Sequence, residues 1–158
     1  MSEQKPPEPS FAWFHFDELG VERLYALLRL RFEVFVLEQN CLYRELDGLD
    51  QEALHLLASE PAGGKLLGYL RVLPPKAGEP EARIGRVVVE RQARKRGISR
   101  ELLRRALAEI ETRFGAVPVS LGAQSHLEAF YEGFGFQAVS EEYLDEGGVP
   151  HIDMRRQA

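Results

Sequence analysis

The sequence has one cysteine, four histidines and no long apolar run among its 158 residues. Cys41 has no partner within the chain, so an intrachain disulfide is excluded and a reducing, cytoplasmic location is expected. The histidines are scattered, without the spacing of a zinc site, so we expect no metal. A membrane-spanning helix needs about 20 consecutive apolar residues, and no segment offers them, so we expect no membrane partner.

Charge and missing nucleotide motifs narrow the possible functions. A formal net charge of -5 at pH 7 argues against nucleic-acid binding, because phosphate contacts need a broad basic face. Neither G-x-x-x-x-G-K-[ST] nor G-x-G-x-x-G occurs, so an NTPase loop and a dinucleotide fold are not predicted. Composition and length are typical of one soluble globular domain. We assign residues 11–158 to this domain and expect residues 1–10 to be a disordered lead-in.

Hydrophobic periodicity predicts an α+β fold with a mixed sheet. Strands are predicted at 11–16, 53–60, 65–73, 82–90, 117–121, 136–144 and 149–155. Helices are predicted at 98–115 and 125–134, and another follows Asp17 to about Val36. Three- and four-residue steps in that first helix give an apolar stripe of Val21, Leu24, Tyr25, Leu28, Phe32 and Phe35.

The most basic segment, residues 91–105, lies between a predicted strand and a predicted helix. It carries seven Arg or Lys residues against Glu101 alone. A loop that enters a helix N-terminus presents backbone N–H groups and the positive end of the helix dipole, which together bind phosphate. Gly97 allows the backbone to come close to such a ligand. The alternative interpretation is a solvated basic helix start.

Two motifs resemble those of the Gcn5-related N-acetyltransferase (GNAT) superfamily. Arg94-Lys95-Arg96-Gly97-Ile98-Ser99 is similar to its pyrophosphate loop Q/R-x-x-G-x-G/A, with Ser99 in the place of the final Gly or Ala. The segment HLEAFYEGFGF at 126–136 resembles its late helix, with Tyr131 followed by Gly135 and Phe136. Residues 24–50 and the segments IGRVVV, LGAQSHLEAFY and GVPHIDM are similar to the ElaA-like branch.

This resemblance implies a GNAT fold: a mixed, splayed β-sheet of about seven strands flanked by helices. It implies acetyl-CoA as co-substrate, and direct transfer of the acetyl group to a primary amine, either a small amine or a protein lysine. The diphosphate would bind loop amides, and the pantetheine would pair with main-chain groups of a valine-rich strand. The implied cofactor-binding residues are Val87, Val88, Val89, Arg94, Lys95, Arg96, Gly97, Ile98, Ser99, Arg100 and Gln124.

Acetyl transfer also needs an acid for the leaving thiolate and a deprotonated amine. Tyr131 is the candidate acid. Glu38 and Asp47 are the favoured candidates for a base or an amine-binding carboxylate. The residues that stay open for that role are Glu33, Asp50, His55, His126 and His151. Arg71 and Arg86 could anchor these acids in salt bridges, although surface exposure is the simpler interpretation.

Other functions stay open at this level. One is a non-catalytic acyl-CoA-binding regulatory module. Another is an enzyme like the acyl-homoserine-lactone synthases, which RFEVFVLEQ at 31–39 resembles. A third is a nucleic-acid module built on the basic loop. The acids between Glu33 and Asp50 indicate a cationic acceptor by charge complementarity. A homodimer could form through the last hairpin.

Overall fold

A mixed eight-stranded sheet with helices against it forms the protein in this computed structural model, which describes residues 3–158. The strands are β1 (Ser10–His15), β2 (Leu54–Ser59), β3 (Leu66–Leu73), β4 (Ala82–Val89), β5 (Val119–Gln124), β6 (Gln137–Ala138), β7 (Tyr143–Leu144) and β8 (Pro150–Arg156). The helices are α1 (Gly20–Arg31), which continues as a π-helix over Phe32–Glu38, α2 (Ile98–Phe114) and α3 (Glu128–Glu132). Within 3–158, no helix is long and apolar enough to cross a membrane.

The sheet divides where β4 meets β5. Its order is β1-β2-β3-β4-β5-β8-β6, and β7 also pairs with β8. Strands β1 to β4 are antiparallel neighbours. The parallel pair β4–β5 has only two residue pairs, Ala82 with Val119 and Arg83 with Ser120. Beyond them β4 continues along β3 and β5 continues along β8, so the two strands diverge. This mixed, splayed sheet confirms the predicted fold class.

Two apolar clusters hold helices to the sheet. The stripe of α2 packs against the central strands, and its buried residues are Ile98, Leu102, Leu103, Ala106 and Ile110. Gly68 on β3 permits this approach, because a Cβ there would lie 2.9 Å from Ile98 Cγ2. The second cluster joins Leu27 and Leu30 of α1 to Leu57 and Tyr69.

The first helix differs from the predicted one. Its α-helical part ends at Arg31, and the next two turns are π-helical. The buried face carries Leu27, Leu30, Arg31 and Val34, whereas the members of the predicted stripe that are exposed are Val21, Tyr25 and Phe32. The buried face of this helix includes Arg31, which apolar periodicity does not predict because arginine is charged.

The predicted strand 136–144 is interrupted and forms two short strands, β6 and β7. At the interruption the hydroxyl of Ser140 accepts the hydrogen bond from the Asp153 backbone N–H, at 2.9 Å. A side chain thus replaces a main-chain group in the ladder. This break explains why the sheet has eight strands where about seven were expected.

Candidate active site

The divergence of β4 from β5 leaves one edge of β4 unpaired, and we call this opening the β4–β5 cleft. Ala82 N–H donates to Pro118 O at 3.0 Å where the strands still meet. At the other end, Glu90 N–H donates to Leu67 O at 2.8 Å, so the main chain of Glu90 faces β3. Because main-chain groups alternate between the two edges of a strand, those of Val87 and Val89 face the cleft. No strand within residues 3–158 pairs with them there.

A β-bulge begins three residues beyond Arg83, the last residue of β4 that pairs with β5. Tyr69 pairs with Val88 and Arg71 with Gly85, so two residues of β4 oppose Leu70 alone. One of the two is Arg86, whose φ of 54° is in the left-handed region that favours glycine. A bulged strand bends and twists more strongly than a regular one, which accounts for the divergence.

The basic loop turns sharply into α2. Lys95 and Gly97 have φ values of 64° and 77°, and Gly97 is the N-cap residue. The first helical hydrogen bond runs from Glu101 N–H to Gly97 O at 3.1 Å. The amides of Ile98, Ser99 and Arg100 precede it and therefore have no intrahelical acceptor. No side chain caps this helix of 17 residues, so its N-terminus is free to bind an anion.

The charges of segment 91–105 are only partly neutralised. Glu101 binds both Arg104 and Arg105, and these hydrogen bonds lower its pKa to about 2. Within segment 91–105, the cations that make no ion pair with any residue of 3–158 are Arg91, Lys95, Arg96 and Arg100. Arg96 donates instead to the Pro7 carbonyl at 3.1 Å. Three of these four cations, Lys95, Arg96 and Arg100, are within three residues of Gly97, the N-cap of α2.

Two consecutive residues at the end of the π-helix, its last residue and its C-cap, connect both sides of the β4–β5 cleft. Glu38 accepts from Arg94, in the loop that follows β4, at 2.5 and 2.8 Å. Gln39 accepts from Gln124 Nε2, at the end of β5, at 2.8 Å. Arg94 Nε also donates to the Val89 carbonyl at 3.2 Å. Neither Gln39 nor its contact was found from the sequence, since a lone glutamine carries no motif.

Tyr131 lies in α3 with its ring in the core and its hydroxyl unpaired. The residue is 6% exposed, and its ring packs edge-on against Phe130 and Phe136. The hydroxyl makes no hydrogen bond within 3–158 and keeps some contact with solvent. Burial raises the pKa of Tyr131 to about 12, so the phenol stays protonated. Arg100 lies over the Phe130 ring at 5.8 Å, which places α3 beside the first turn of α2.

Most acids between residues 33 and 50 are paired with arginines. Asp47 accepts from Arg71 and Arg86, Asp50 from Arg31 and Arg71, and Glu45 from Arg31 and Arg86. We call these six residues the arginine–carboxylate network. Arg71 is 3% exposed, so surface exposure, the simpler interpretation of the sequence, is wrong for it. Glu45, which connects two of the arginines, was missed by the sequence analysis.

The pairing lowers the proton affinity of the two favoured carboxylates. The hydrogen bond from Arg94 lowers the pKa of Glu38. Burial alone would raise the pKa of Asp47, but hydrogen bonds from Arg71 and the Leu49 backbone hold it well below its usual range. Glu33 is bound by Arg29 at 2.9 Å. The charge complementarity that indicated a cationic acceptor is therefore largely satisfied within the chain.

The histidines occupy three different environments. His55 is fully buried, with Nδ1 2.6 Å from the Tyr69 hydroxyl and Nε2 2.8 Å from the Asp50 carbonyl oxygen. His126 is exposed in the turn before α3. His151 is on β8, where Nδ1 lies 2.9 Å from the Val149 carbonyl. Both ring nitrogens of His55 are thus occupied by protein groups.

A surface groove of about 1010 Å³ lies apart from the β4–β5 cleft. It lies between α1 and strands β1 to β3, and residues of both signs and several apolar side chains line it. The unpaired strand edge and the free helix N-terminus are both outside this groove.

A splayed sheet whose unpaired β4 edge leads into a basic loop and an uncapped helix N-terminus is the arrangement of the GNAT acetyltransferases. Residues 17–158 match the family model described as an acetyltransferase (GNAT) domain, and the chain belongs to this family of enzymes. Within it the chain is on the ElaA-like branch.

Several relatives place it more closely. Protein ElaA of Escherichia coli is 41% identical over 145 residues, which cover 90% of this chain and 93% of ElaA. The crystal structure of E. coli ElaA has a TM-score of 0.86 and covers 94% of this chain and 99% of that chain. An acyl-CoA N-acyltransferase from Pseudomonas aeruginosa has a TM-score of 0.87 with 47% identity over 94% of this chain and 99% of that chain. An aminoglycoside 6′-N-acetyltransferase complexed with coenzyme A shares the fold, with a TM-score of 0.68, 19% identity and 92% and 96% of the two chains covered.

Proposed function

We propose that the protein transfers the acetyl group of acetyl-CoA directly to a primary amine, a small amine or a protein lysine. The observation that carries this proposal is the order of three features along the chain: an unpaired strand edge, a basic loop and a free helix N-terminus. A long ligand with a diphosphate at one end and amide groups along its arm fits that order. Membership of the GNAT family supports it, as does the coenzyme A complex of a structural relative.

The donor would be held at both ends of the cleft. The diphosphate would bind the amides between Lys95 and Arg100, with Arg94 at the loop entrance. The arm would pair with the main chain of Val87 and Val89, in the way a further strand adds to a sheet edge. The amide oxygen of Gln124, whose nitrogen already binds Gln39, is an acceptor for an arm N–H.

The chemistry needs two donors from this chain. The amine nitrogen attacks the thioester carbonyl carbon, and the oxygen that gains charge accepts a hydrogen bond from the Val87 N–H. A single preorganised donor of this kind is worth about 3 kcal/mol in the transition state. The carbon–sulfur bond then breaks, and Tyr131 donates a proton to the departing sulfur. Burial keeps Tyr131 in the protonated form that this role requires.

The proposal revises the two carboxylates favoured from the sequence. A general base must accept a proton, yet arginine contacts lower the pKa of both Glu38 and Asp47. We therefore assign Glu38 to the cleft entrance and Asp47 to the arginine–carboxylate network. In this scheme the amine enters as the neutral species and its proton passes to solvent after attack.

An activity screen tests the proposal. The purified chain is incubated with acetyl-CoA and single primary amines, including a small diamine and an N-terminally blocked lysine peptide, and free thiol is measured with acetylated product. Amine-dependent release of coenzyme A with matching product supports transfer. If acetyl-CoA binds but no amine is acetylated, a non-catalytic acyl-CoA-binding module becomes the better account.

A further inference from the structure

We propose that Arg86 is a positioning residue that orients the Val87 amide, and that the arginine–carboxylate network exists to hold Arg86 in place. This inference rests on the proposed function, because it names what sets the direction of the thioester-binding N–H. The peptide N–H of Val87 belongs to the peptide unit that joins Arg86 to Val87. Its direction therefore follows from the backbone conformation of Arg86.

That backbone conformation is unusual for the residue. Arg86 has a φ of 54°, and Gly is the residue that adopts such values without a steric penalty. Gly85 directly precedes it and does not take the positive φ. The bulge therefore carries a bulky side chain at its strained position, with a glycine next to it. Strained conformations persist only where the surroundings impose them.

The side chain of Arg86 is held at three points. Its Nε donates to Glu45 Oε1 at 3.1 Å, and its Nη2 donates to the Glu45 carbonyl at 3.0 Å and to Asp47 Oδ2 at 3.2 Å. The guanidinium also lies over the Tyr43 ring at 5.3 Å. It is only 17% exposed, so these contacts are shielded from water.

The acids that hold Arg86 are themselves fixed by buried arginines. Arg31, which is fully buried, binds Glu45 at 2.5 Å, and Arg71 binds Asp47 at 2.5 and 2.9 Å. Arg31 belongs to α1 and Arg71 to β3, so the anchor extends into two core elements. The bulge is thus connected through its side chain to the rigid part of the fold, which is how supporting contacts preorganise a site.

The segment that carries Glu45 and Asp47 also follows the π-helix, whose last residue is Glu38 and whose C-cap is Gln39. Those two residues bind the loop after β4 and the end of β5. One stretch of chain therefore contacts the bulge and both sides of the β4–β5 cleft. This arrangement explains why so many charged side chains lie beside an otherwise apolar strand.

Spectra of the ¹⁵N-labelled full-length chain test the assignment. Wild type, Arg86→Gly and Arg86→Gln are saturated separately with coenzyme A and with acetyl-CoA, and the amide shifts of Val87, Gly97 and Ser99 are recorded. Gly accepts the positive φ, so Arg86→Gly keeps the bulge accessible without its anchor. Arg83→Gly is the matched control, because Arg83 lies on the same strand, before the bulge, and is exposed.

In wild type we expect the chemical shift of the Val87 amide proton to change more with acetyl-CoA than with coenzyme A, because only acetyl-CoA has a thioester carbonyl. The Gly97 and Ser99 shifts should be the same with both. In both Arg86 variants the Val87 difference should disappear while the loop shifts remain, and turnover with any acceptor should fall about 100-fold with KM for acetyl-CoA changed less than threefold. Arg83→Gly should behave as wild type.

Three results would overturn the assignment. If both Arg86 variants keep the wild-type difference in the Val87 amide shift between the acetyl-CoA and coenzyme A complexes, the side chain does not direct the amide. Loss of the loop shifts together with the Val87 difference means a general folding role. If wild type shows no loop shift with either ligand, the proposed function fails, and the assignment fails with it; the loop amides thus separate the two failures.

Discussion

Arg94 and Glu38 form a two-point ion pair at the entrance of the β4–β5 cleft, with Nη1–Oε1 and Nη2–Oε2 distances of 2.5 and 2.8 Å. The arginine that is proposed to meet the diphosphate is thus occupied by a carboxylate of the same chain. A diphosphate and Glu38 cannot both take the two donors of one guanidinium fork. The ion pair with Glu38 therefore competes with acetyl-CoA for Arg94.

We predict that Glu38→Gln binds acetyl-CoA about fivefold more tightly than wild type, because a partly exposed ion pair of about 1 kcal/mol no longer competes. The gain should shrink as salt is added. Calorimetric titration at two salt concentrations measures it. Glu33→Gln, which breaks the pair with Arg29 instead, should leave affinity unchanged. Weaker binding by Glu38→Gln would show that Glu38 orients Arg94 for the ligand.

Tyr131→Phe should lower kcat about 100-fold with the affinity for acetyl-CoA nearly unchanged, because it removes a proton donor and keeps the buried ring. Single-turnover kinetics separates the chemical step from binding. The control is Tyr25→Phe, since Tyr25 is 71% exposed on α1. An unchanged rate of the chemical step in Tyr131→Phe would remove this hydroxyl from the mechanism.

Arg31→Met should destabilise the protein by about 3–5 kcal/mol, because it removes the fully buried cation that Glu45 and Asp50 share and leaves each of these carboxylates with a single arginine. Urea unfolding followed by circular dichroism gives the free energy of unfolding. Arg29→Met, in the same helix, removes an exposed pair and should cost less than about 1 kcal/mol. Equal effects of the two substitutions would refute a stabilising role for the buried network.

Stability should fall as the pH drops below 6.5, the pKa of His55 when unfolded. Burial lowers the pKa of His55 in the folded state, so below pH 6.5 the unfolded chain binds a proton that the folded one does not. The contribution of neutral His55 to the free energy of unfolding is complete above pH 6.5. It is lost as the pH falls from 6.5 toward the pKa of His55 in the folded state, at up to about 1.4 kcal/mol per pH unit. In His55→Gln this part of the pH dependence of Tm should vanish, and in the exposed His126→Gln it should persist. A persistent slope in His55→Gln would assign the effect to other groups.

Much of the fold could be predicted from the sequence because local patterns determine it. Alternating and continuous apolar runs gave β2, β3 and β4 within one or two residues, and the stripe of α2 gave its length. The loop was found because phosphate binding needs a glycine and charge at fixed places before a helix. Its role in binding stays a prediction.

What escaped prediction depends on long-range contacts. Arg31 meets Glu45 across 14 residues and Arg86 meets Asp47 across 39, and no local pattern records such partners. The left-handed φ of Arg86 could not be predicted from the sequence either, because glycine is the residue expected at such a position. The acids of segment 33–50 therefore resembled an amine-binding site in the sequence, although in the folded chain most of them form ion pairs with its own arginines.

The central claim is that the β4–β5 cleft and the basic loop bind acetyl-CoA, and calorimetric titration tests it most directly. Wild type is titrated with acetyl-CoA beside a variant that carries both Arg94→Glu and Gly97→Asp. We predict micromolar binding by wild type and its loss in the double variant, which puts negative charge at both places where the diphosphate would lie. No binding by wild type, or equal binding by both proteins, would contradict the account.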